Sequence, residues 1–130
     1  MTELLLDTHI VLWWLEDDPR LTTVLRAHIT AAPVVHISAA STWEVAIKSS
    51  LGKLDLELGP HESFPAICTA QGFELVAVTH EDAWAVERLP PSRTDPFDRL
   101  IAAAARRRGW TVVTADDAFE RLDVPLLRPE

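Results

Sequence analysis

The chain is poor in the residues on which several protein classes depend. It has one cysteine, Cys68, which excludes an internal disulfide and a cysteine-rich zinc site. Its four glycines are isolated from one another, so it has no glycine-rich loop of the kind that binds nucleotide phosphates. The first apolar stretch, up to Leu15, is interrupted by Asp7 and His9 and is too short for a signal peptide or a membrane span. These absences predict a cytoplasmic protein.

Basic residues are also scarce. The chain has 12 Lys and Arg against 20 Asp and Glu, for a formal net charge of −8. This balance argues against broad, non-specific nucleic-acid binding, which depends on a strongly basic face. It leaves three interpretations: a metal ion neutralises part of the acid, a basic partner binds to it, or the charge keeps the protein soluble.

Short β-rich runs alternate with helical patterns along the 130 residues. Strands are predicted over residues 3–6, 34–38, 73–78, 110–114 and 124–127, and helices over 8–16, 20–31, 41–51, 60–71, 81–89, 96–108 and 117–121. The third helix is predicted from its apolar spacing, with Trp43, Ala46, Ile47 and Ser50 at positions i, i+3, i+4 and i+7. The alternation predicts a three-layer α/β/α fold with a mainly parallel central sheet, and the absence of repeats and linkers predicts a single domain over 1–130.

Four acidic residues from distant segments are predicted to meet at one edge of this sheet. In a parallel sheet, the carboxyl ends of strands and the amino ends of the following helices share the edge at which ligands bind. Asp7 and Asp116 follow strands, and Glu44 and Asp98 lie near the starts of helices. Clustered carboxylates repel each other unless a cation is present, and carboxylate oxygens suit Mg²⁺ or Mn²⁺. Such an ion can activate water for attack on a phosphodiester.

Two of these acids, Asp98 and Glu44, also have a local interpretation as helix-capping groups. Asp95 suits an N-cap before Pro96, and Asp98 then completes a variant of the capping box. Glu44 can form a capping box with Ser41, and it can also pair with the lysine four residues further on.

The remaining two acids differ in how easily capping explains them. Asp116 can cap the short helix that follows it. Asp7 comes directly after a leucine run at the end of a central strand, where a charged residue is seldom buried without a partner. Because capping gives no reason for four acids to converge, the sequence favours a metal site.

Four segments carry a resemblance to a known family. "LLLDTHIVLWWL", "ISAASTWEVAIKSSLGKL", "DPFDRLIAAAA" and "VVTADDAF" resemble, in this order, the acidic motifs of the PIN domain family, in particular the VapC-like toxins of bacterial type II toxin–antitoxin pairs. The likeness spans nearly the whole chain. It implies a metal-dependent endoribonuclease that is usually dimeric and is inhibited by a cognate antitoxin protein.

The resemblance also implies roles for individual residues. The catalytic and metal-binding acids are expected to be Asp7, Glu44, Asp98 and Asp116, with Mg²⁺ or Mn²⁺ as the ion. Supporting roles are expected for the Thr114 hydroxyl and for Asp95 and Asp117. One departure is visible, because Ser92 and Arg93 stand where relatives often carry two histidines. This departure affects a loop contact to RNA or antitoxin rather than the metal site.

Two other functions compete with the nuclease. One is a catalytically inactive PIN-like binding or scaffold protein. The other is an aspartyl-phosphate phosphatase with Asp7 as the nucleophile, although His9 stands where that chemistry needs a second acid.

The adjacent Trp13 and Trp14 face different ways on one helix, so one is predicted in the core and the other at a dimer or antitoxin interface.

Overall fold

Five parallel strands form the centre of the molecule. The structure, a computed structural model, describes residues 2–129. The strands are β1 (Leu4–Leu6), β2 (Val35–Ser38), β3 (Glu74–Val76), β4 (Thr111–Val113) and β5 (Leu126–Leu127), in the spatial order β3-β2-β1-β4-β5. The chain therefore leaves β1 on one side towards β2 and returns on the other through β4. In sheets of this kind the ligand crevice lies at the carboxyl end of the strand where the order reverses, which here is β1.

Helices cover both faces of this sheet. They are α1 (Thr8–Glu16), α2 (Thr23–Ala31), α3 (Ala39–Ser50), α4 (Phe64–Ala70), α5 (His80–Ala85) and α6 (Pro96–Arg108), with 3₁₀ turns at Val86–Arg88 and Asp117–Arg121. Leu4 and Leu6 belong to an apolar cluster with α1, α2 and α4, whereas Leu5 belongs to a second cluster with α6. Because side chains alternate across a strand, β1 separates two cores, which confirms the three-layer α/β/α prediction. Within residues 2–129, no helix is both long and apolar enough to cross a membrane.

The start and end of α6 follow directly from local sequence. Asp95 is the N-cap, and its Oδ1 accepts the backbone N–H of Phe97 at 2.8 Å. Pro96 occupies the first helical position, where a missing N–H costs nothing. Gly109 ends the helix with φ +74°, a left-handed conformation that glycine adopts without strain. The predicted bounds of this helix are confirmed.

The start of α3 was predicted wrongly. The N-cap is Ser38, whose Oγ accepts the N–H of Ala40 at 3.0 Å, so the helix begins at Ala39. Ser41 therefore lies inside the helix and forms no capping box. Its hydroxyl instead lies 2.8 Å from the hydroxyl of Thr8 on α1. Strand β2 leads into the helix without a loop, which is why the earlier serine is the one that caps it.

The face of α3 that carries the apolar spacing is not its buried face. Trp43 is 59% exposed and Ala46 is exposed, whereas Ser41 and Glu44 are buried. Val45 is buried beside them, so the buried face of α3 mixes polar and apolar side chains. The apolar spacing of the sequence therefore does not mark the core face of this helix.

Other boundaries differ by a few residues from the prediction. Helix α2 starts at Thr23 because Thr22 caps it, and α4 starts at Phe64 because Ser63 caps it. Helix α5 ends at Ala85 and continues as a 3₁₀ turn, and each strand is shorter than its apolar run.

Candidate functional site

Asp7 links the central strand to the first helix. It follows β1, caps α1 by accepting the N–H of Thr8 at 2.7 Å, and is only 2% exposed. Its Oδ2 accepts the hydroxyl of Thr114 at 2.8 Å. Burial raises the pKa of Asp7, and the charge of Glu44 adds to this effect, against the lowering effect of the Thr114 bond, of His9 and of the Thr8 bond. This carboxylate is thus held rigidly in a position that opposes its own ionisation.

Glu44 is buried on the inward face of α3, with 7% of the residue exposed. Its Oε2 accepts a hydrogen bond from Lys48 Nζ at 2.8 Å, so the predicted i,i+4 pair is present. Its Oε1 is buried and has no hydrogen-bond partner. A buried acceptor without a partner carries a free-energy cost of about 1–3 kcal/mol, and binding a cation would remove this cost.

Asp98 lies in the first turn of α6 among other carboxylates. Burial raises its pKa, and the charges of four acids raise it further, to about 8. These four acids are Asp7, Asp95, Asp116 and Glu44. The structure therefore brings the four predicted metal ligands, with Asp95, into one electrostatically coupled region.

Thr114 connects Asp7 to the loop that carries Asp116. While its Oγ1 donates to Asp7, it also accepts the backbone N–H of Asp116 at 3.0 Å. Asp116 Oδ1 in turn accepts the N–H of Ala118 at 2.9 Å and caps the following 3₁₀ turn. Capping occupies only one of the two Asp116 carboxylate oxygens, so capping and ligation are compatible.

Asp95 and Asp117, for which supporting roles were expected, differ from each other in their contacts. Asp95 is the N-cap of α6, and its charge also reaches Asp98. The side chain of Asp117 is 82% exposed and forms an ion pair with Arg128.

The residues suit a hard divalent cation by the chemistry of their donors. Among residues 2–129, no group of three or more His, Cys, Asp and Glu side chains is arranged to hold a metal ion. The coupled region nevertheless offers carboxylate oxygens, the ligands that Mg²⁺ and Mn²⁺ prefer. Glu44 Oε1 is an unsatisfied acceptor within it. We conclude that these residues fit such an ion.

Sequence reasoning missed the buried hydroxyl pair that supports this edge. Thr8 and Ser41 lie 33 positions apart and are both almost completely buried. Their contact joins the starts of α1 and α3, which carry Asp7 and Glu44. Only the pairing of β1 with β2 brings these helix ends together, so no local signal in the sequence could reveal it.

Comparisons with known proteins identify relatives of this chain. A family model described as PIN domain matches residues 4–125. Ribonuclease VapC22 of Mycobacterium tuberculosis is 32% identical over 117 residues, which cover 89% of this chain and 88% of that protein.

Two solved structures share the fold at low sequence identity. VapBC2 from Rickettsia felis, bound to a DNA fragment from its promoter, has a TM-score of 0.69 at 17% identity and covers 98% of this chain and 99% of that chain. VapBC-5 from Mycobacterium tuberculosis has a TM-score of 0.63 at 20% identity and covers 99% and 100%, respectively. The arrangement of strands and helices, the family model and the sequence relative all agree, and the chain belongs to the PIN domain family.

Proposed function

We propose that this protein is a metal-dependent endoribonuclease and the toxin of a toxin–antitoxin pair. The observation that carries the proposal is the coupled acidic region, in which four other carboxylates and burial raise the pKa of Asp98 to about 8. Where this much negative charge lies in one partly buried region, a bound cation would relieve the repulsion between the carboxylates. The relative at 32% identity is a ribonuclease, and VapBC-5 belongs to a family of toxin–antitoxin systems, which supports the same function here.

The chain's own residues have distinct tasks in this mechanism. Asp7, Glu44, Asp98 and Asp116 would hold Mg²⁺ or Mn²⁺, which when bound supplies activation of water and stabilisation of the leaving oxygen. Thr114 fixes the orientation of Asp7 through its hydroxyl. Lys48 holds one oxygen of Glu44, which leaves the other for the ion.

The first experiment is cleavage of a labelled RNA. We expect cleavage with Mg²⁺ or Mn²⁺, none with EDTA, and a loss of about 100-fold or more for Asp7→Asn. Asp123→Asn is the matched control, because the Asp123 side chain is 72% exposed and pairs with Arg106 outside the acidic region. Equal cleavage under all conditions would refute the mechanism.

The alternatives make different predictions. A scaffold protein with an inactive site would bind Mn²⁺ poorly in calorimetry, whereas the proposed enzyme binds it and loses the binding in Asp7→Asn. Membership of the PIN domain family removes the basis of the phosphatase alternative. As a toxin, the protein is expected to arrest growth on induction in a cytoplasmic setting, and co-expression of its antitoxin is expected to restore growth.

A further inference from the structure

A basic pocket lies beside the acidic region, between α1 and the end of α3. We propose that this pocket is a subsite for the RNA backbone, in which Lys53 binds a phosphate next to the cleaved one. The inference rests on the proposed ribonuclease function and adds to it the place where the substrate chain lies.

The pocket concentrates positive charge in an acidic protein. Its volume is about 310 Å³, and its lining includes His9, Arg20, Lys48 and Lys53, with Glu16 as the acid among them. Lys48 and Lys53 are the two lysines of the whole sequence. A chain with a net charge of −8 repels RNA at long range, so local cations are needed wherever the backbone must approach it.

The helix end brings the two lysines together. After Ser50 the chain turns at Gly52, which has φ +71°, and the N–H of Lys53 bonds to the carbonyl of Lys48 at 2.9 Å. This closure is typical of a helix that ends on a left-handed glycine. It folds Lys53 back against the last turn of α3, so both lysines line one cavity.

Lys53 is the cation of this pocket that remains available for a ligand. Arg20 is bound to Asp18, with Nη2 to Oδ2 at 2.7 Å, and Lys48 is bound to Glu44. Across residues 2–129, Lys53 takes part in no ion pair. The positive charge of Lys53 is therefore available to bind a phosphate.

The pocket also adjoins the acidic region directly. Lys48 lines the pocket and bonds to Glu44, and His9 lines it two residues after Asp7. A nucleic-acid strand with its scissile phosphate at the acids can therefore extend over this pocket. Trp13 adds an apolar wall, although the guanidinium of Arg20 lies 4.7 Å from its ring centroid and covers one face. The chemistry of the pocket is thus suited to phosphate rather than to an intercalated base.

The test is the salt dependence of RNA binding in EDTA, where no cleavage occurs. Fluorescence anisotropy of a labelled single-stranded RNA is measured between about 50 and 200 mM salt. For Lys53→Gln we expect a several-fold higher Kd and a slope of log K against log salt that is shallower by about 0.7, the value for one phosphate contact on a single strand. Lys53→Arg is expected to retain both. Arg88→Gln, an exposed charge on the 3₁₀ turn Val86–Arg88, is expected to change neither.

The outcomes separate this inference from the proposed function. Equal slopes for wild type and Lys53→Gln, an equal effect of Arg88→Gln, or no measurable binding by wild type would each overturn the subsite. If wild type cleaves RNA while Lys53→Gln binds it normally, the subsite fails and the nuclease function stands. If wild type binds through Lys53 but cleaves no RNA with Mg²⁺ or Mn²⁺, the subsite holds and the nuclease function fails.

Discussion

The two carboxylate oxygens of Glu44 have unlike surroundings. One is hydrogen-bonded to Lys48, and the other is buried with no partner. Pairing one oxygen of a buried acid fixes its rotamer and lowers the cost of its charge, while the unpaired oxygen keeps a free lone pair. Glu44 therefore has a fixed position and one oxygen whose lone pairs are free, and a metal ligand needs both.

The Thr114 hydroxyl is expected to control activity through Asp7. Thr114→Val keeps the shape of the side chain but leaves Asp7 Oδ2 and the N–H of Asp116 without a partner. We expect RNA cleavage to fall about 10-fold or more. Thr114→Ser keeps the hydroxyl and is expected to restore most of the activity. Normal cleavage by the valine variant would show that the hydroxyl only serves packing.

Asp98 is expected to destabilise the protein in the absence of divalent metal. Its pKa of about 8 lies far above that of an unfolded aspartate, so stability is lost as the pH rises from about 4 to about 8. Asp98→Asn removes this loss. We expect its free energy of unfolding in EDTA at pH 8 to exceed that of wild type by about 1–2 kcal/mol, a value discounted because the side chain is only partly buried.

Urea unfolding measures this difference. The excess stability is expected to shrink towards pH 4 and to reverse when Mn²⁺ is added, because only wild type gains the full binding energy. An Asp98→Asn protein that is less stable than wild type at pH 8 in EDTA would show that the neighbouring carboxylates do not strain this site.

At the scale of elements, the ends of α5 and α6 are tied by one buried aspartate. Asp82 is fully buried, completes the capping box of α5 with Thr79, and receives hydrogen bonds from Arg107 at 3.0 Å and Arg108 at 2.8 Å. Burial alone raises the pKa of Asp82, but the Thr79 backbone bond and the two arginines outweigh it and lower the pKa overall. The last turn of α6 is thereby anchored away from the acidic region.

Asp82→Asn is expected to destabilise the fold by about 2–3 kcal/mol, somewhat less than for a fully buried pair because Arg107 is partly in solvent. A lowered pKa contributes stability above pH 4 that is lost as the pH falls through the folded-state value. Wild type is therefore expected to lose more stability than Asp82→Asn between about pH 4 and pH 2. Urea unfolding against pH measures this, with Glu87→Gln, an exposed acid on the 3₁₀ turn Val86–Arg88, as the control.

Helices α6 and α3 show what local sequence can and cannot determine. Both ends of α6 were predicted because Asp95, Pro96 and Gly109 are unambiguous signals for a start and a stop. The start of α3 was missed because Ser38 and Ser41 are equally good caps, and only the end of β2 decides between them. The exposure of Trp43 does not follow from apolar spacing, because the buried face of α3 mixes polar and apolar side chains.

At the scale of the whole molecule, the order of the strands determines where the site lies. The approximate position of the four acids followed from the rule that strand ends and helix starts share one edge. The Thr8–Ser41 pair and the second role of Thr114 depend on strand pairing between distant segments, which no local pattern contains.

The two adjacent tryptophans illustrate the same limit. Trp14 donates from Nε1 to Gln71 at 2.9 Å and packs on Phe73, and Trp13 lies under Arg20, so both are partly covered. Larger aromatic exposure occurs at Trp43 and at Trp84, which is 75% exposed. Neither tryptophan is fully buried, so the prediction of one core tryptophan is wrong, and the predicted interface role of the other stays a prediction.

We expect the protein to be a homodimer, as its family resemblance implies and as its exposed tryptophans favour. Light scattering after size-exclusion chromatography is expected to give twice the chain mass of 14.5 kDa. A mass of 14.5 kDa at every concentration tested would refute the dimer. Asp7→Asn is expected to have the same mass as wild type, because Asp7 is buried within one chain.

The hydrogen bond between Asp7 and Thr114 joins residues 107 positions apart. During translation, the amino-terminal half therefore emerges long before the strand that completes its acidic edge, and contacts over such distances close late in folding. A nascent or prematurely terminated chain that lacks β4 cannot assemble this edge. A nuclease built in this way is therefore expected to gain its activity only once almost the whole polypeptide has been synthesised.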